Sequence, residues 1–367
     1  MKNLTTWVGM DVHKSKVFVS MLVAGAESPL EHSLPNEPRA IRKLIRRLKR
    51  GPGDVVACYE AGPCGYVLQR EFEEAGLTCF VIAPTLIPEK KGDRIKTDRR
   101  DARKLADYLR SGILTAIEPP SPEQESARDL VRCRADHRIS LKAARNRLNH
   151  FLLRRGVRYT TGKKAWTKAY VRWLHQLSFD DAVAQVVFDQ YMLAIEQTAE
   201  RLAIVDTQIE ELAQTDRYRE VVGALRCFRG IDTLTAMTLV TELYEFARFG
   251  SARDLMGFLG LVPSERTSIR RQLGGITKMG NREVRRVLVE ASLHSRHRPA
   301  VGAGLRKRRA GQPAHAIARA DHAQQRLHAR YKRLTARGKH SNIVTVAIAR
   351  ELAGFVWAAM REASMSK

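Results

Sequence analysis

Four acidic side chains stand where they could hold a divalent cation. Asp11 follows the apolar run Trp7-Val8-Gly9-Met10, Glu60 follows Val55-Val56-Ala57-Cys58-Tyr59, and Asp98 and Asp101 lie three apart at the head of a helical stretch. Acids three apart on a helix project from one face. Clustered carboxylates cannot all stay ionised without a cation. Oxygen donors of this hardness suit Mg2+ or Mn2+, and two such ions can clamp the attacking and leaving oxygens of a phosphodiester. Singly, each acid has an ordinary explanation: Asp98 as a helix cap, Asp101 as a first-turn acid facing the macrodipole, Asp11 as a solvated turn residue. Glu60 is hardest to dismiss, because it ends an apolar strand and enters the sharp turn Ala61-Gly62-Pro63. Joint placement is what favours a site. His13, two residues beyond Asp11, reads as a residue of the turn.

The elements that must position these acids are legible in the first third of the chain. Two apolar runs, Trp7 to Val12 and Lys16 to Val23, flank His13-Lys14-Ser15 as a hairpin, and a weaker strand near Glu31 to Leu34 follows a Gly/Pro turn. Asn36 is placed to cap a basic helix over Ala40 to Leu48, with Ile41, Leu44, Ile45 and Leu48 on one face. Val55 to Tyr59 and Cys79 to Ala83 are short continuous apolar runs, the signature of buried parallel strands. A helix from about Tyr66 to Ala75 separates them, and another spans about Asp98 to Ser111. Three strands, a helix, a strand, a helix, a strand and a final helix is the element order of the ribonuclease-H-like α/β fold. In that order the Val55 to Tyr59 strand lies parallel to the first, so Asp11 and Glu60 share one end of the sheet, where α/β sheets place ligands.

Charge points to a polyanionic partner. The 367 residues carry a formal charge of +25, and the stretch from Arg266 to Lys339 contributes +17 of it. Each phosphate neutralised by such a surface releases condensed counterions. The bases are interleaved with helix-forming apolar residues, which favours nucleic acid over a membrane-binding tail. With 44% hydrophobic residues the chain can build real cores, which excludes wholesale disorder. No unbroken apolar run reaches the length of a bilayer span, so no membrane association is expected. Five scattered cysteines form no zinc-ligand spacing, and with no apolar leader at the N-terminus they read as reduced thiols of a cytoplasmic protein.

The chain divides on sequence into residues 1–118, 119–217 and 218–367, the first break being the stiff Pro119-Pro120-Ser121-Pro122. The middle part is a long helical region. Its second half repeats every seven residues, with Phe188, Ile195, Leu202 and Ile209 on one position and Tyr191, Thr198, Val205 and Leu212 on the other. Such heptads fit a coiled coil or helical hairpin, and a helix packed on its own domain is the equal alternative. Trp166, Tyr170 and Trp173 stand among Lys163, Lys164, Lys168 and Arg172; core packing is their expected role, stacking on unpaired bases the alternative. The last part is mainly helical. Arg226-Cys227-Phe228-Arg229-Gly230-Ile231 before a helix over Thr233 to Leu243 suggests a helix-hairpin-helix-like unit whose glycine turn offers amides to phosphate. Ser264 to Gly275 reads as a polar, basic loop, Asn281 to His294 as a basic helix, and Asn342 to Met360 as an apolar terminal helix.

Separate motifs, in order along nearly the whole chain, carry a family resemblance. Gly9-Met10-Asp11 with Lys14 and Lys16, then Tyr59-Glu60-Ala61-Gly62-Pro63-Cys64-Gly65-Tyr66, then Lys96-Thr97-Asp98-Arg99-Arg100-Asp101-Ala102 resemble the DEDD-type insertion-sequence transposases. Phe258-Leu259-Gly260-Leu261-Val262-Pro263-Ser264-Glu265, Ser268, Gly274-Gly275-Ile276-Thr277-Lys278-Met279-Gly280-Asn281 and Arg285-Arg286 are similar to the family's second block. The resemblance implies a RuvC-like N-terminal domain joined to a C-terminal transposase domain, with the pilin-gene invertase a relative. It implies a metal site at Asp11, Glu60, Asp98 and Asp101, and a serine nucleophile toward DNA at Ser268. It further implies a homo-oligomer, a dimer or tetramer, whose subunits share the site and which a noncoding bridge RNA directs to donor and target DNA. The chain departs from the family at Gly62-Pro63-Cys64-Gly65, and Thr267-Ser268-Ile269 lacks the glycine that often follows the serine, so Ser264 stands beside Ser268 as the alternative.

A hydroxyl is a poor nucleophile until its proton is removed. No local Ser-His-Asp order is visible, so a cation held by the acids is the economical activator. Arg266, Arg270, Arg271 and Lys278 surround the serine and fit charge stabilisation on the transferring phosphoryl group. Arg282, Arg285 and Arg286, and the run Arg306-Lys307-Arg308-Arg309, are expected on the nucleic-acid backbone rather than on base edges. The expected function is therefore a Mg2+- or Mn2+-dependent recombinase of a mobile element. A RuvC-like nuclease using water, a non-catalytic nucleic-acid scaffold and a sugar-kinase-like ATPase are the competing classes.

Overall fold

Burial of Thr6, Val8, Gly9 and Met10 makes the first strand the centre of the N-terminal architecture. β1 (Thr5–Val12) pairs antiparallel with β2 (Lys16–Leu22), which pairs antiparallel with β3 (Leu30–Pro35). After α1 (Pro38–Lys49), β4 (Asp54–Glu60) joins β1 in parallel; after α2 (Val67–Glu74), β5 (Thr78–Ile82) joins β4 in parallel. Then come α3 (Asp98–Arg110) and a two-residue strand, β6 (Ala116–Ile117), which closes the sheet antiparallel to β5. The sheet order is β3-β2-β1-β4-β5-β6. The computed structural model describes residues 4–23, 25–88, 97–162, 164–244, 246–267 and 271–365. The chain separates into two units, Met1–Pro119 and Pro120–Lys367.

Period-two side chains give the sheet two different faces. Val8, Met10, Ala57 and Tyr59 pack with Ile41, Leu44, Ile45, Leu48 and Phe72, the apolar stripes of α1 and α2. Trp7, Val56 and Cys58 point the other way, toward Leu105 and Leu109 of α3. Gly9, Asp11 and Glu60 follow the same alternation onto the α3 side. One helix therefore covers the face on which the acids emerge. Asn36 does not cap α1: Glu37 holds the cap position without a side-chain bond, and the Asn36 amide instead donates to the His13 carbonyl at 2.8 Å, fastening the β1–β2 turn.

The second unit is built on two long helices. α4 (Pro122–Arg154) starts with a Ser121–Gln124 capping box, and α6 (Ala182–Leu212) packs along it, with the short α5 (Lys168–Leu174) between them in sequence. Phe188 and Ile195 of the heptad seam are buried with Leu141, Leu148 and Phe151 of α4. Thus α4 and α6 form a helical hairpin within one chain. Tyr159, Trp166, Tyr170 and Trp173 make a mutual ring cluster, with centroids 5.1–5.3 Å apart, as core packing requires.

The far ends of the hairpin enter a second core. It is formed with α7 (Arg219–Arg226), α8 (Thr233–Leu243), α9 (Ala252–Phe258), α10 (Arg282–Ser292), α12 (Ala314–Ala336) and α13 (Ser341–Met365), while α11 (Ala303–Arg309) packs on α7. Gly230, at φ +89°, joins α7 to α8; a Cβ there would sit 2.5 Å from the Ala291 carbonyl oxygen. α13 is long and apolar enough over Ser341–Ala363 to cross a membrane by composition alone, a property the count of unbroken apolar runs misses because polar residues punctuate it. Its Val344, Ile348, Leu352, Val356 and Met360 are buried in the core.

One expected element is different. Ser264 to Gly275 is not a loop: β7 (Pro263–Thr267) and β8 (Arg271–Ile276) form an antiparallel ribbon. Polar residues dominate both strands, and among the side chains described there only Ile276 packs against the core, so the apolar alternation that marks a strand in sequence is absent.

Candidate active site

Gly9 lets the site form. A Cβ on it would lie 2.2 Å from the Ala102 carbonyl oxygen and 2.4 Å from the Ala106 nitrogen, so α3 crosses β1 backbone against side-chain-free backbone. The crossing sets the N-terminus of α3 over the end of β1. Thr97, not Asp98, caps that helix, its hydroxyl accepting from the Arg100 amide. The Asp98 carboxylate is thereby left for the cleft.

Three donor groups converge there. The Asp11 Oδ2 lies 3.1 Å from His13 Nε2, and the Asp98 Oδ1 lies 3.5 Å from the same nitrogen. Their nearest ligand atoms are all within 4.8 Å of one another. Lys16 Nζ holds the other Asp98 oxygen at 2.7 Å. Glu60 and Asp101 line the same cleft of about 1020 Å³, together with Lys14, Asn36 and the Ala61 to Gly65 turn. Among the described residues they stand outside the tight Asp11–His13–Asp98 group.

The local charges follow this geometry. Burial lifts the Asp11 carboxyl above its ordinary value; His13 pulls it down, and the charges of Asp98 and Asp101 push it up again. The Lys16 hydrogen bond holds Asp98 below the usual carboxylate range. Two carboxylates and an imidazole suit a divalent cation, the oxygens fitting Mg2+ or Mn2+ and the nitrogen favouring Mn2+ of the two. His13 belongs to the cluster, a correction to its reading as a bystander. The period-two alternation of β1 continues through the turn, so residues 9, 11 and 13 share a face.

A second close-packed geometry anchors the β7–β8 ribbon at its root. Gly260 (φ +60°) and Gly280 (φ +68°) let the two entering segments touch: a Cβ on Gly280 would sit 1.7 Å from the Phe258 oxygen, and one on Gly260 would sit 2.4 Å from the Met279 nitrogen. Arg285 Nη1 donates to the carbonyls of Leu259 and Met279, both at 2.8 Å, clasping these segments together. Buried Glu242 accepts two bonds from Arg132, at 2.7 and 2.9 Å, and one from Asn281 at 2.7 Å, joining α4, α8 and the cap of α10. Ser268 and Arg270 fall between the strands, outside the described residues.

Comparison with known proteins decides the family. Residues 8–155 match a transposase family model for DEDD-type IS110 enzymes, and residues 223–304 match the transposase model of the IS116/IS110/IS902 family. The y4qE protein of Sinorhizobium fredii, named as a transposase, is 41% identical across 97% of this chain and 89% of that protein. The transposase for insertion sequence element IS1533 of Leptospira borgpetersenii is 36% identical across 91% of this chain and 97% of its own. The chain belongs to the IS110 family of transposases.

The basic side chains of this transposase divide into two groups. Lys278, Arg282, Arg306 and Lys307 are exposed. Arg286 is bridged to Glu283 and Glu290, and Arg285 is spent on the ribbon root. Arg309 is 7% exposed, donating to the Cys227 carbonyl and pairing with Asp321 at 2.7 Å, while Arg308 donates to the Arg226 carbonyl. Burial removes Arg309 from the expected nucleic-acid surface, because it lies one turn after buried Leu305 on the inward face of α11.

Proposed function

We propose that this transposase cuts and rejoins DNA through a serine-linked intermediate, with Asp11, Glu60, Asp98 and Asp101 as its metal-holding acids and Ser268 as its nucleophile. The single observation that supports this most is the approach of Asp11, His13 and Asp98 within one cleft that Glu60 and Asp101 also line. A bound Mg2+ or Mn2+ would supply Lewis-acid stabilisation of the phosphoryl oxygens. The protein's own groups do the rest. His13 orients Asp11 through their hydrogen bond, and Lys14 and Lys16 keep positive charge beside an approaching phosphodiester. Ser268 is assigned from the motif that spans the ribbon, whose root is fixed by Gly260, Gly280 and Arg285. Lys278 and Arg282 lie exposed nearby in sequence and suit the DNA backbone.

The reading extends to assembly and targeting: a homo-oligomer, dimer or tetramer, acting in the cytoplasm and directed to donor and target DNA by a noncoding guide RNA of the element. The family motifs support this part. The test is denaturing electrophoresis of the protein incubated with its element-end DNA. A covalent protein–DNA adduct that disappears in Ser268→Ala, with DNA binding retained, is the expected result. Free nicked DNA without an adduct would replace this reading with that of a water-using RuvC-like nuclease.

A further inference from the structure

A cationic cleft on the helical hairpin has no part in the site described above. Arg138, Lys142 and Arg145 lie on successive turns of one face of α4 and line a cleft of about 330 Å³ with Asn146, Leu141, Leu202 and Trp166. Neighbouring arginines of the same helix are neutralised: Arg132 by Glu242 and Arg134 by Asp206. Among the described residues, no ion pair is formed by Arg138, Lys142 or Arg145. The Nε atoms of both arginines are shielded from solvent and lack a hydrogen-bond partner. Unsatisfied buried donors of this kind need an explanation.

Trp166 adds an independent observation. It adopts φ +64°, a left-handed conformation costly for a bulky residue. The ring cluster with Tyr170 holds it there, and Tyr170 is fixed in turn by its hydroxyl donating to Asn149 at 3.0 Å. The result is an indole wall 4.8 Å from the Arg145 guanidinium, which locks that side chain at the cleft instead of letting it sweep through solvent.

We propose that this cleft is a phosphate-docking site for a nucleic-acid strand, built from residues of the second unit alone. Pre-oriented guanidinium groups match the geometry of phosphate oxygens, and Lys142 adds a mobile point charge at the same site. Like-charged, unpaired side chains aligned on one helix face repel each other until an anion lies among them. Exposed Lys164 and Lys168, flanking Trp166 in sequence, extend the positive surface.

The test is the salt dependence of binding by the full chain to a single-stranded DNA oligonucleotide, the matching duplex, and RNA of the same sequence. For the double variant Arg138→Gln/Arg145→Gln, the slope of log Kobs against log salt should fall by about 1.5 with at least one probe, and for Lys142→Gln by about 0.8. Lys142 is exposed, so its variant remains informative should the double variant fold poorly. Arg147→Gln removes the same charge from the opposite side of α4 and should leave the slope unchanged. Loss with RNA alone assigns the strand as RNA; loss with either DNA probe assigns it as DNA. Unchanged slopes in the cleft variants, or an equal fall in Arg147→Gln, would overturn the proposal.

Discussion

Gly9 and Ala102 are in backbone contact across the face of the sheet: the missing side chain of one admits the carbonyl of the other. This contact fixes how far the α3 N-terminus stands from the end of β1, and so the separation of Asp98 from Asp11. Neither partner can yield by rotating a side chain. Gly9→Ala should therefore cost about 1–3 kcal/mol of stability in chemical denaturation. It should also weaken divalent-cation binding, measured by calorimetry, because α3 must move outward. A variant of wild-type stability would show that the crossing is looser than described.

Lys16 holds an Asp98 oxygen that a cation would need. Replacing it with Gln removes a competing positive charge. Mn2+ should bind Lys16→Gln roughly threefold or more tightly than the wild type, while the loss of charge should weaken DNA binding. Calorimetric titration of the two proteins checks the sign; weaker Mn2+ binding would mean that Lys16 organises the acids rather than competing for them.

The Glu242 carboxylate is the buried junction of three elements. Its loss leaves Arg132 and Asn281 without their acceptor, at about 3 kcal/mol, toward the lower end for a broken buried pair because Arg132 is half exposed. Glu242→Ala should lower the denaturation midpoint. It should also raise amide exchange at the ribbon root, where Lys278 donates its N–H to the Gly260 carbonyl, more than at the core of α13.

Thiol reactivity offers a check on the N-terminal core. Burial pushes the Cys58 thiol up to about 12 and raises Cys79 as well, whereas Cys133 is exposed on α4. Iodoacetamide should label native Cys133 at least on the order of a hundredfold faster than Cys58 or Cys79, with the difference lost on unfolding. Mass spectrometry of labelled peptides reads this directly.

Much of the N-terminal unit is legible in the sequence because its signals are strong. The continuous apolar run at Val55 to Tyr59 reports a strand covered on both faces, and that at Cys79 to Ala83 its parallel neighbour, although Phe80 there is exposed. The topology then puts Asp11 and Glu60 at one edge. What escapes is set by geometry between elements. His13 enters the cleft because strand alternation persists into a turn, which no propensity marks. Asn36 bonds across the hairpin instead of capping its own helix. The β7–β8 ribbon lacks apolar alternation because it packs little of itself on the core. Arg309 looks like its neighbours in a charge run, and only the phase of α11, with Leu305 one turn earlier, sends it inward.

The most direct test of the acid cleft is metal-dependent strand cleavage of element-end DNA by Asp11→Asn and Asp98→Asn, measured beside DNA binding by the same proteins. Cleavage should fall at least about a hundredfold in each while binding is kept. Cleavage at the wild-type rate in either variant would contradict the assignment of this cleft as the catalytic centre.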